Sequence, residues 1–258
     1  MAALAFESAI GSEVGRRPNN EDAVFATGRL AVLADGVGGA IGGETASQWI
    51  VNAFIHLDKS RLSRPLADAM REALRWGNEA IAFIAGCRPH LAGMATTVTA
   101  AAMTNDGDIL VMNVGDSRTY LFRASRLRQL TRDDTLVQTL IDSGAITAAD
   151  ARRHPQRSIV VDAIDGQPRI VPDVTSLKAV PGDRLLLCSD GLSDAIDDQQ
   201  IATALQTKSL EDTAQTLIDR ALRAGSRDNI SVIVLDVSEH SDPSAAWLPL
   251  LTSPPTST

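Results

Sequence analysis

The stretch LAVLADGVGGAIGGETAS (residues 30–47) decides how the rest of the chain is read. A short apolar run ends on a carboxylate, Asp35, and five glycines follow within residues 36–43. The run reads as a buried strand and GETASQWI (43–50) opens a helical pattern, so the glycines lie where a sheet gives way to a helix. Asp-Gly is also the strongest short hairpin signal, but a hairpin needs a second strand directly afterwards, and here a helical pattern follows. A carboxylate at a buried strand's exit is costly unless a cation, an Arg or hydrogen-bond donors meet it. Asp35 is therefore a candidate partner for positive charge.

The arrangement recurs. RLLLCSDG (184–191) ends an apolar run on Asp190, DILVMNVGDS (108–117) ends one on Asp116, RDNISVIV (227–234) opens one with Asp228, and NNEDAVF (19–25) opens one with Glu21 and Asp22. Any one of these acids alone reads as a solvated turn former or helix cap. Six at the ends of apolar runs point to a shared site, a crowded cluster whose repulsion only divalent cations or raised pKa values would relieve. The candidate ligands are all oxygens, and the four histidines stand in unrelated contexts, so Mg2+ or Mn2+ fits better than zinc. Gly36 lets the backbone approach closely enough for its carbonyl to reach a metal. Other chemistries fail on spacing. Neither Cys87 nor Cys188 has an Arg six residues on, no Ser occupies a G-x-S-x-G elbow, and the glycines of 36–43 match neither a Walker loop nor the dinucleotide fingerprint.

With 258 residues, 44% hydrophobic and 22% charged, the chain is long enough for one large domain or two small ones. Its net charge of −8 argues against nucleic-acid or anionic-membrane partners. The absence of a basic n-region in MAALAFESAIGSEVG, of any membrane-length apolar run and of a disulfide framework predicts a cytoplasmic protein. Cys188, inside LLLCS, reads as core filler. Short apolar runs joined by turn signals at 105–108 and 123–126 predict an antiparallel meander over 95–130. Two helical patterns, one through Ala46, Ile50, Phe54 and Leu57 and one starting near Pro65, predict an antiparallel pair covering a sheet. Residues 131–160 break the strand rhythm with two short helical patterns, the second opened by a Thr147–Asp150 capping box, and read as a flap. A helix over 212–224 precedes the last strand. The folded domain is placed at 1–238, and the Ser/Thr/Pro-rich residues 239–258 read as a mobile tail.

Taken in order, RRPNNEDAV, LADGVGGAIGGETAS, MATTVTAA, MNVGDSRTYL, LLLCSDGLSD and SRDNISVIV resemble the motifs of the metal-dependent type-2C (PPM) serine/threonine protein phosphatases, particularly the compact bacterial ones. The resemblance spans about residues 5–237. It implies an α+β fold, a central β-sandwich of two antiparallel sheets with helices outside each (four layers, αββα), and a metal channel at one end. It also implies that Asp35 bridges two Mn2+ or Mg2+ ions and the Gly36 carbonyl ligates one. Asp190 and Asp228 would hold the first ion, Glu21 and Asp22 would act on the second, and Asp116, with Asp194, matches a looser third site. Arg17 matches the phosphate-holding Arg, a role its planar fork suits. The implied reaction is direct hydrolysis of phosphoserine and phosphothreonine, with phosphorylated proteins, including a serine/threonine kinase or its targets, as partners. The competing reading is a catalytically idle phosphoprotein-binding module of the same fold.

Two positions depart from the family pattern. Val37 follows the Asp-Gly pair where some eukaryotic relatives carry a His, and Asp134 stands where many bacterial members carry a His after the first acid. The basic segment RRHPQR (152–157) reads either as a steering surface for a phosphoprotein or as a solvated face.

Overall fold

All five residues of the strand Leu30–Ala34 are buried, and they point alternately in opposite directions. Leu30, Val32 and Ala34 pack with Ile50, Phe54, Met70 and Ile81 of two helices, while Ala31 and Leu33 pack with Leu187 and Ile233 of a second sheet. A strand covered on both faces belongs in the middle of a layered stack, and the rest of the molecule follows from that. In the computed structural model, residues 3–37, 42–59, 64–170, 172 and 174–240 are described.

The strands are β1 (Ala3–Glu13), β2 (Ala23–Ala26), β3 (Leu30–Ala34), β4 (Val98–Met103), β5 (Asp108–Val114), β6 (Arg118–Arg123), β7 (Arg126–Gln129), β8 (Val174–Lys178), β9 (Arg184–Cys188) and β10 (Ile230–His240). One sheet runs β1-β10-β9-β6-β7 and the other β2-β3-β4-β5-β8, with every pairing antiparallel. Helices α1 (Gly43–Lys59) and α2 (Leu66–Cys87) cover the second sheet. On the far side, α5 (Asp190–Ser193), α6 (Asp198–Ala204) and α7 (Leu210–Ala224) press Leu192, Ile201 and Leu217 onto Leu186, Cys188, Val232 and Val234. The result is the expected αββα sandwich with three apolar seams. Cys188 is buried in one of them.

The meander expected over 95–130 divides between the sheets. The β4–β5 hairpin lies in one and the β6–β7 hairpin in the other, with the crossing at residues 115–117. Gly115 makes that crossing with φ of 98°, and a Cβ there would lie 2.6 Å from the Thr97 side chain, so only glycine fits. Pro65 is the N-cap of α2 rather than its first helical residue. The 131–160 insertion holds α3 (Leu136–Asp142), capped by Thr135, and α4 (Ala148–Ala151), opened by the Thr147–Asp150 capping box. β10 runs to His240, two residues past the expected boundary, because Leu4 and Ala3 continue the ladder opposite Glu239 and His240. The remainder of the expected tail, 241–258, lies outside the described residues, as do Gly38 and Gly39 of the glycine run. Among the described residues no helix is long and apolar enough to cross a membrane.

Candidate active site

Antiparallel pairing carries the carboxylates to one end of the sandwich. Ala23 lies opposite Ala34, so Asp22, just before β2, stands next to Asp35, just after β3. In the other sheet Arg118 and Val232 both lie opposite Cys188, so Asp116, Asp190 and Asp228 leave it at a common edge. The β5–β6 crossing joins that edge to the first.

Local hydrogen bonds fix these positions. The Asp35 backbone N–H donates to Thr97 Oγ1 at 3.2 Å, and its carbonyl accepts from Thr96 Oγ1 at 2.8 Å and from the Thr97 N–H at 2.8 Å. The Gly36 N–H donates to the Glu21 carbonyl at 3.2 Å. A Cβ on Gly36 would sit 2.6 Å from the Gly43 carbonyl carbon and 2.8 Å from Glu21 Cβ, so the glycine permits the approach of β3 to the start of α1. Asp22 accepts from Ser189 Oγ at 3.1 Å through one carboxylate oxygen, while the other, Oδ1, is buried without a partner. Asn229 is almost fully buried and ties three segments together. Its Oδ1 accepts from the Glu21 N–H, and its Nδ2 donates to the carbonyls of Val14 and Asn19, each at 2.9 Å.

The electrostatics are those of acids crowded without compensation. Burial, with the charge of Asp228 added, pushes the Asp22 carboxyl up to about 6, against hydrogen bonds from its neighbours. Burial and Asp133 push Asp116 up to about 6. Asp35 and Asp190 rise well above the usual carboxylate range, first through burial and then through repulsion; Asp22 leads the charges acting on Asp35, and Asp116 those acting on Asp190. Arg17 is the cation on the Glu21 side. Its Nη2 donates to Asp228 Oδ2 at 2.7 Å, and both side chains remain partly exposed.

The structure thus brings Asp22, Asp35, Asp116, Asp190 and Asp228 within one another's electrostatic reach. Glu21 stands on the Arg17 side, facing Arg17, Asp228 and Glu44, and helps to line a small cavity of about 70 Å3 with Arg17, Gly36 and Asp228. Asp194 stands on the insertion side, 3.6 Å from Arg157, around a separate cavity of about 290 Å3 that Asp116 and Asp190 also line. Among the described residues no three acidic, histidine or cysteine side chains are grouped tightly enough, as they stand, to ligate one ion. The donor set still suits hard divalent cations: it is all oxygen, it contains an orphaned buried acceptor in Asp22 Oδ1, and its charges are mutually raised.

Several site residues escaped the sequence reading. Asn229 and Ser189 lay inside quoted motifs but neither is an acid. Half-buried Arg118 pairs with buried Asp133 beside Asp116, its Nη2 donating to Asp133 Oδ2 at 2.6 Å. A sequence separation of fifteen residues carries no local signal for that pair.

Comparison with known proteins identifies the family. Residues 13–228 match the family model described as Protein phosphatase 2C. The serine/threonine protein phosphatase PstP of Mycobacterium tuberculosis (strain H37Rv) is 46% identical over 224 residues, covering 87% of this chain but 43% of that protein, so this chain spans less than half of that relative's length. The serine/threonine phosphatase stp of Listeria welshimeri is 33% identical over 212 residues, covering 80% of this chain and 84% of its own. The crystal structure of the catalytic domain of PstP in complex with two manganese ions superposes with a TM-score of 0.85 at 43% identity, covering 92% of this chain and all of that one.

Proposed function

Because the chain belongs to the protein phosphatase 2C family, we propose that it is a metal-dependent serine/threonine protein phosphatase acting on phosphoserine and phosphothreonine monoesters. The observation that carries this reading is the meeting, at one end of the sandwich, of acids from widely separated strand ends, among which Asp22, Asp35, Asp116 and Asp190 are all raised. In this reading Asp35, the Gly36 carbonyl, Asp190 and Asp228, with Glu21 and Asp22, would hold two Mn2+ or Mg2+ ions. Asp116 and Asp194 serve a looser third. Bound divalent ions supply Lewis acidity, lowering the pKa of water towards neutrality and offsetting phosphoryl charge.

The chain's own residues then do the following. Arg17 turns its planar fork from Asp228 to the phosphoryl oxygens and orients the monoester. Asp35 keeps its place because Thr96 and Thr97 hold its backbone on both sides. A water oxygen bonds to phosphorus and releases a proton to solvent, the ester P–O bond breaks, and the serine or threonine oxygen takes a proton from solvent. Val37 has none to give. No side chain is covalently modified. The natural substrates are phosphoproteins, with a serine/threonine kinase or its targets the expected partners, and the two free, unpaired cysteines suit a reducing cytoplasm.

Hydrolysis of p-nitrophenyl phosphate and of a phosphothreonine peptide with Mn2+, abolished by EDTA and by Asp35→Ala, tests the proposal. Retained phosphopeptide binding without turnover by the Mn2+-loaded wild type would refute it in favour of an idle binding module.

A further inference from the structure

The consecutive acids Asp133 and Asp134 open the 131–160 insertion, and their side chains reach opposite ends of one loop. That loop, Gly115 to Arg118, carries Asp116 across from one sheet to the other. Asp134 takes its leading end. Asp134 Oδ2 accepts from the Gly115 N–H at 3.0 Å, and the Asp134 N–H donates to the Gly115 carbonyl at 3.0 Å. Asp133 takes its trailing end, accepting from Arg118 Nε at 2.9 and 3.0 Å, from Arg118 Nη2 at 2.6 Å and from Gln129 Nε2 at 2.9 Å. Arg118 is braced in turn by Tyr120, whose hydroxyl accepts from its Nη1 at 2.9 Å. The same acids are bolted to the insertion. The Asp134 carbonyl accepts from the Val161 N–H at 2.8 Å, Leu136 donates to the Ile159 carbonyl at 2.9 Å, and Arg132 spans from Asp134 to Asp142 on α3.

We propose that Asp133 and Asp134 are positioning residues that clamp the Asp116 loop from both ends and tie the position of the insertion to that of Asp116. The inference rests on the phosphatase reading only where it makes Asp116 a metal residue; the clamp itself is a statement about the loop. Asp134 works as an acceptor, so an amide oxygen in the same place preserves the grip and a methyl group abolishes it. Asp133 works as the counter-charge of a half-buried guanidinium, and its removal leaves Arg118 without that carboxylate.

The test uses the full chain as wild type, Asp134→Ala and Asp134→Asn. Hydrogen exchange of the Gly115 amide in the metal-free protein accelerates roughly tenfold or more in the alanine variant, the loss expected for a bond to a charged acceptor. Exchange in β4 and α7 stays as it was, and the asparagine variant restores the wild-type rate. In Mn2+ calorimetry the alanine variant loses affinity, by about the same factor, at the weakest binding step alone. Unchanged Gly115 exchange, failure of asparagine to rescue, or an equal loss at every Mn2+ step overturns the clamp. Wild type that takes up no Mn2+ refutes the phosphatase reading instead, and the exchange comparison then decides the clamp by itself.

Discussion

Removing the metal makes the pH dependence of stability diagnostic. In the folded, metal-free chain Asp22 and Asp116 titrate near 6, against the usual 3.8, and Asp35 and Asp190 are displaced further in the same direction. The folded state therefore holds protons that the unfolded chain releases. This contribution is fully present below the unfolded value and is lost as pH rises towards the folded one. At 1.36 kcal/mol per pKa unit, one such carboxyl loses about 3 kcal/mol in all, of which about 2 kcal/mol falls between pH 4.5 and 7.5. The acids share their repulsions, so their losses do not simply add, and we take about 2 kcal/mol as the expected change over that interval. For a chain of this size this is a fall in Tm of about 4–8 °C. The surface acids Asp142 and Asp150, whose carboxyls are lowered by hydrogen bonds, act with the opposite sign, but below pH 4 and outside the interval. The assay is circular dichroism melting in EDTA at pH 4.5, 6 and 7.5, repeated with Mn2+. Mn2+ raises Tm more at pH 7.5 than at 4.5, because it competes with those protons. Melting in EDTA that is flat, or that rises with pH over the interval, refutes the buried cluster.

Three substitutions probe the site from other directions. Asp190→Asn lowers phosphatase turnover by orders of magnitude while leaving the EDTA melting temperature at pH 7.5 unchanged or higher, since a neutral amide relieves repulsion; near-normal turnover contradicts the assignment. Arg17→Ala raises KM for a phosphopeptide about tenfold or more and leaves Mn2+ affinity intact, and a large loss of Mn2+ affinity by calorimetry counts against its phosphate role. Gly36→Ala forces the start of α1 and Glu21 away from residue 36 and costs about 1–3 kcal/mol in denaturant unfolding, as overpacking does; a variant of wild-type stability shows that the close approach of Gly36 to Gly43 is not required.

Acids that end an apolar run were legible because burial of the run fixes where the strand stops, and a charge cannot continue it. Helices α1, α2 and α7 were legible through the spacing of Ile50 and Phe54, Met70 and Ile81, and Leu217 and Ile218. One element left no such mark. β8 (VTSLK) is an edge strand, largely exposed and without a clean apolar alternation, and the neighbour's ladder holds it in place. The division of the meander was hidden because Gly115, a single residue with positive φ, reads equally well as an ordinary turn. Asn229 and the Arg118–Asp133 pair were illegible for a related reason: their partners are fixed by sheet order, which local spacing does not encode. The pairing of Arg17 with Asp228 belongs to the same class, since 211 residues separate them.

The ladder between β1 and β10 opposes Ala3 to His240 and Glu13 to Ile230, and Arg17 and Asp228 sit just beyond its inner end. During synthesis the amino-terminal half of the site must wait for a partner strand that is among the last of the described segments to be translated. A nascent chain therefore cannot pair Arg17 with Asp228 until β10 leaves the ribosome, and cutting the ladder that joins β1 to β10 parts the two without changing either residue.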